Sequence, residues 1–169
     1  MAHFYEMIPA EIRALSNHEA VERYATGADW PADAIAGLTR EQLTAFPVPG
    51  TWSIQQIVVH LADTDQAAAY RWKRIIAEDE PTLDAYDENA FVRGLFYQEL
   101  DARLAAELFR VNRLHTAGVL RRLPEQAFER AARHPEVGEI RLGQFVRLYV
   151  HHLEHHLKFI RQKRALVGG

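Results

Sequence analysis

The apolar positions near the C-terminal end recur at the spacing of one helix face. Wound at about 100° per residue with Leu142 as origin, Phe145, Tyr149, Leu153 and Ile160 fall roughly between 300° and 20° and form a single stripe. The spacing predicts a helix over 141–165, with Gly168-Gly169 as a frayed tail. A second helix is predicted over 53–77. Pro47-Val48-Pro49-Gly50 breaks the chain before it, and Ser53 with Gln56 three residues on is a capping-box start. Its stripe is Ile54, Ile57, Val58, Leu61, Ala68, Trp72 and Ile75. A third helical pattern runs over 99–123 through Leu100, Leu104, Leu108, Val111, Leu114 or His115, Gly118 or Val119, and Leu123. A fourth covers 9–25, with Ile12, Leu15 and Tyr24 on its apolar side, Pro9 in its first turn and Gly27 at its stop.

Between these lie shorter pieces. Thr39 and Gln42 form a second capping box ahead of a short helix carrying Leu43. Residues 83–89 read as a linker, and 89–97 as a turn or two that joins or precedes the third helix. Residues 127–139 read as irregular, with turn chemistry at His134-Pro135-Glu136-Val137-Gly138. No strand is evident. Four substantial helical segments with moderate connections point to an all-α, four-helix bundle, and 169 residues suit one domain over 1–169.

Composition narrows the function classes. A net charge of -3 gives no basic footprint for nucleic acid. No run approaches the roughly 18 apolar residues of a membrane span, and the N-terminus lacks the pattern of a signal peptide. These features place the chain in the cytoplasm. The absence of cysteine removes disulfides, thiolate metal ligands and a cysteine nucleophile.

The nine histidines then change the picture, because four of them crowd into 151–156. His151/His155 and His152/His156 are pairs four residues apart, each pair on one helix face. On the projection above, His152 and His156 land at about 280° and 320°, inside or beside the apolar stripe. His151 and His155 fall on the polar side with Arg147 and Lys158. Bundles build metal sites from side chains on facing helices, and His60, on the shoulder of the second helix, is the natural third ligand.

Trp52-Ser53-Ile54-x-x-Ile57-x-x-His60-Leu61 resembles the start of the second helix in DinB/YfiT-like proteins. His134-Pro135-Glu136-x-Gly138, then Leu142 and Tyr149-x-x-His152-x-x-His155-His156-x-x-x-Ile160, resembles their fourth-helix region. The likeness covers most of 50–160; residues 1–45 give no distinctive match and read as covering structure. It implies a four-helix bundle, often a homodimer, with a divalent metal, nickel or zinc, on three histidines. By match those are His60, His152 and His156. It further implies a metal-dependent hydrolase, or a thiol S-transferase acting with a low-molecular-weight thiol. One departure is His151, where relatives tend to carry an aromatic residue.

Three neutral imidazoles leave a tetrahedral metal one open position, which serves water activation and thiol activation equally. The expected partner is therefore a small molecule, with neither nucleic acid nor membrane. Asp63 and Tyr149 are the weaker candidates for catalysis, Asp63 three residues after His60 and Tyr149 one turn before His152. For each there is a plainer role, an exposed carboxylate and a core aromatic. His134 reads as a turn residue, and Trp52 and Trp72 as packing. The competing function is a non-catalytic metal-binding or stress-response protein, whose metal would be closed off by a fourth protein ligand. A purely helical interaction module would instead keep His60 far from His152 and His156.

Overall fold

The computed structural model describes residues 3–168. Met1-Ala2, part of the stretch read above for a signal peptide, and Gly169 of the expected tail lie outside them. The helices in chain order are α1 (His3–Glu6), α2 (Ala10–Arg13), α3 (Asn17–Thr26), α4 (Trp30–Ile35), α5 (Arg40–Thr44), α6 (Ile54–Ala77), α7 (Glu88–Gly94), α8 (Ala102–Leu120) and α9 (Leu142–Leu166). A 3-10 turn at Glu125–Glu129 and two strands, β1 (Ala131–His134) and β2 (Gly138–Arg141), separate α8 from α9.

The bundle is built from α3, α6, α8 and α9. Its principal contacts run α6 to α8, α8 to α3, α3 to α9 and α9 to α6, so α8 and α9 lie diagonally opposite. Short α4 carries the α3 side onward along both α8 and α9. At the end of α3 the chain passes so close to α9 that a Cβ on Gly27 would stand 2.6 Å from Leu153 Cδ2. Glycine is required there by space.

The capping signals explain the helix starts. Ser53 Oγ accepts from Gln56 N, and Gln56 Oε1 accepts from Ser53 N, which sets α6 in the expected register. Thr39 and Gln42 do the same for α5. The expected single helix over 9–25 is instead two. Ser16 and Glu19 make a third reciprocal capping box, and it restarts the chain as α3 after one turn of α2.

Two further expectations are corrected. The irregular segment contains a hairpin, with Ala131 opposite Arg141 and His134 opposite Gly138. Gly138 takes φ 75° at its turn, a conformation that favours glycine. The preceding linker is tied to it, since Leu83 N donates to Arg133 O and Arg133 N to Pro81 O.

The second correction concerns α8. Its leucine stripe faces outward: Leu104 is 70% exposed, and Leu108, Val111 and Leu114 are also exposed. The buried face is Ala102, Ala106, Phe109, Arg113, Thr116, Ala117 and Leu120. Its small residues suit the close packing of α8 against α6, the neighbour it meets most extensively. The larger stripe misled because periodicity reports an apolar face without saying what covers it.

The apolar interior forms two clusters. One gathers Ile12, Tyr24, Trp72, Phe145 and Tyr149; the other gathers Ile35, Ile57, Leu61, Phe109, Leu153 and Ile160. Between them runs a polar layer. Arg113, 1% exposed, donates Nε to Asp65 Oδ1, Nη1 to Tyr24 O and Nη2 to Tyr149 O. Asp65 Oδ2 accepts from Tyr24 Oη and Asn112 Nδ2. Burial pushes the Asp65 carboxyl upward and the guanidinium pulls it back. One buried cation thereby ties all four long helices together.

Candidate metal centre

His60 lies five residues before Asp65 on α6. It stands one turn after Ile57 on α6 and is 1% exposed, so the shoulder position expected for it is in fact interior. Thr64 Oγ1 caps the His60 carbonyl at 2.8 Å. From α9, His152 and His156 enter half-buried, one turn apart. His151 and His155 pair with each other on the outer side, ring centroids 5.9 Å apart.

His60 Nε2 lies 3.4 Å from His152 Nε2. That is long for a hydrogen bond, whose usual range is roughly 2.7–3.2 Å. It is close to the edge of a tetrahedron around an ion holding nitrogens at about 2.0–2.1 Å, which works out near 3.3–3.4 Å. One nitrogen from each of His60, His152 and His156 falls within 4.8 Å of the others. His156 Nδ1 is buried without any hydrogen-bond partner, which is a cost unless something else engages the ring. Burial, and then the His156 ring, hold His60 at about 3; burial and His155 hold His156 at about 4; burial drives His152 well down. All three rings are neutral at pH 7 and present lone pairs. The donor set fits a divalent ion.

Among the described residues no cysteine, aspartate, glutamate or further histidine joins the cluster. Asp63 is turned aside, its Oδ2 accepting from the Tyr97 hydroxyl. Tyr149 is 7% exposed, its ring 5.5 Å from His152, and burial raises its phenol. It is therefore a hydrogen-bond donor at neutral pH. The indole of Trp52 lies 4.7 Å from the His60 ring and stacks parallel to His156 at 6.3 Å, so it covers the cluster as well as packing.

A cavity opens on each side. The first, about 380 Å³, is lined by Trp52, Ile57, His156, Phe159 and Lys163 among others, and is largely apolar. The second, about 240 Å³, is lined by Arg71, Glu88, His134, Glu136, Tyr149 and His152 among others. His134 ends β1, its Nδ1 accepting from Glu136 N at 3.2 Å, and its ring faces this second cavity.

A family model for the DinB superfamily matches residues 12–160. The chain belongs to the DinB superfamily. It is 30% identical over 136 residues to YfiT of Bacillus subtilis, covering 80% of this chain and 76% of that one. A Bacillus licheniformis relative is 33% identical over 136 residues, covering 80% and 77%. One from Oceanobacillus iheyensis is 31% identical over 128 residues, covering 76% and 74%. All three are provisionally named metal-dependent hydrolases. The solved structure of Bacillus subtilis YfiT, described as having an unusual four-helix bundle topology, superposes with a TM-score of 0.85 at 26% identity, covering 95% of this chain and 93% of that one.

Several residues at this DinB site escaped the sequence reading. Arg71 and Lys163 were within reach of it: Arg71 stands eleven positions after His60 and Lys163 seven after His156, spacings that return to the same helix face. Tyr97, which turns Asp63 aside from the site, carried no such signal, since it lies outside any helix. Among the described residues no helix is long and apolar enough to cross a membrane.

Proposed function

We propose that His60, His152 and His156 hold one divalent ion, nickel or zinc, and that the site hydrolyses a small molecule. The observation that carries this reading is the triangle of three neutral ring nitrogens with no fourth protein ligand among the described residues and a cavity at either side. Imidazole ligands suit both metals. When bound, such an ion acts as a Lewis acid and lowers the pKa of a coordinated water toward ~7. The chain's own contribution is to fix the rings. Trp52 shields them from bulk water, and Tyr149 offers a phenolic proton to a substrate oxygen beside His152. Asp63 is held by the Tyr97 hydroxyl and lines neither cavity, which makes it the weaker of the two candidates. A low-molecular-weight thiol is the alternative substrate, because thiol activation asks for the same three ligands.

The test is an assay of chelated protein against protein reloaded with Zn2+ or Ni2+, over a panel of esters, amides and thiol-transfer acceptors. Activity should follow the metal and vanish in His156→Ala. Equal rates in stripped and reloaded protein would contradict a metal-dependent reaction. One bound ion with no turnover of any substrate class would favour the metal-holding role instead.

The chain is also proposed to form a homodimer through the outward stripe of α8. Leu104, Leu108, Val111 and Leu114 make a contiguous exposed apolar face, a feature that marks association surfaces. Light scattering should give twice the 19.4 kDa chain mass. The double variant Leu104→Asp/Leu108→Asp should give the single mass. A monomeric wild type would remove the dimer and leave the metal site untouched.

A further inference from the structure

We infer that the apolar cavity beside His156 selects ligands with a carboxylate at the end of an apolar body, and that Lys163 is the residue that reads the carboxylate. The inference extends the small-molecule reading above and rests on it for the identity of the neighbouring centre.

Lys163 is 4% exposed, unusual for a lysine. Its ammonium donates to Thr51 Oγ1 at 2.5 Å, and the Thr51 hydroxyl in turn donates to Val48 O at 2.8 Å. No carboxylate among the described residues pairs with it. A buried charge is ordinarily paired, yet this ammonium keeps two donors beyond the one spent on Thr51. It lines the same cavity as His156, Trp52, Ile57 and Phe159.

The helix sets the spacing. Lys163 stands seven residues after His156, two turns or about 10 Å along the axis of α9, on the same face. Side chains on a helix lean toward its N-terminus, so the ammonium reaches back toward the histidines. Thr51, which anchors it, is the chain neighbour of Trp52, whose ring covers His60 and His156. A ligand lying along this groove would place its apolar body on Trp52, Ile57 and Phe159 with an anionic end at Lys163. Charge balance indicates a monoanion. One ammonium with two free donors suits a carboxylate, whereas a phosphate dianion would lack a second cation among the cavity residues.

The experiment is calorimetric titration of the full chain with 4-phenylbutyrate and with 4-phenylbutanol, which share an apolar body and differ in the charged end. Each titration is run with Zn2+ bound and again after chelation. The wild type should prefer the carboxylate by about tenfold or more, the scale of one charge-assisted hydrogen bond, and the preference should persist after chelation. In Lys163→Met it should disappear, while Zn2+ binding stays at the wild-type affinity. Equal binding of acid and alcohol by the wild type would overturn the inference, and that comparison needs no variant. A preference seen only with Zn2+ present would overturn it too, since the carboxylate would then be meeting the metal. Because the chelated titration is independent of the ion, its failure is distinguishable from failure of the metal-dependent reading.

Discussion

Replacing His156 or His152 with alanine is expected to lower divalent-metal affinity by at least about 100-fold. Loss of outer partners of a metal ligand alone costs about 10–100-fold, and these rings supply the donor atoms themselves. His60→Ala should do the same from the other helix. The cleanest readout is the shift in melting temperature on adding metal. At a free metal concentration 100 times the dissociation constant, binding stabilises a folded chain by about 2.7 kcal/mol. For a chain of this size that corresponds to a rise of roughly 5–10 °C. The wild type should show the rise and each alanine variant should show little or none. The shift is preferable to the melting temperature alone, because His60 is buried and its truncation also removes packing. A full metal-induced shift in all three variants would mean that the ion sits elsewhere.

Arg113→Ala is expected to be the most destabilising single change in the polar layer. It would leave Asp65, 1% exposed, as an uncompensated buried carboxylate. It would also remove the donors to the Tyr24 and Tyr149 carbonyls and the cation over the Tyr24 and Phe109 rings, at 4.2 and 4.5 Å. Breaking a buried ion pair from one side costs about 3–5 kcal/mol, or roughly 6–20 °C of melting temperature here. The double change Arg113→Met/Asp65→Leu should recover much of the loss, because it removes both charges together. A variant Arg113→Ala that melts within about 2 °C of the wild type would show that the pair contributes little.

What could be read in advance follows a physical rule. Local signals were legible: the capping boxes at Ser53 and Thr39, the stop at Ala77 and the long stripe of α9 all appear where their residues placed them. The pair His152/His156 could be told from His151/His155 because rotation about one helix axis decides it. Nonlocal choices were not legible. Whether the leucines or the alanines of α8 face inward depends on how closely α6 approaches, and the larger residues gave the stronger but outward signal. The hairpin over 131–141 is two short four-residue strands whose pairing is fixed by α9 and the linker, so alternation was too brief to register. Asp65 carries no local signal of its own, because its role comes from Arg113, 48 positions away. Lys163 and Arg71 were on the right faces, but a lone cation on a helix ordinarily signals solvent.

Anomalous diffraction from crystals of the metal-loaded protein, recorded on both sides of the zinc or nickel edge, tests the central claim most directly. The account predicts one strong peak per chain, about 2 Å from a nitrogen of each of His60, His152 and His156, with no fourth side chain bound to it. A peak at any other place, or one saturated by a fourth protein ligand, would contradict it.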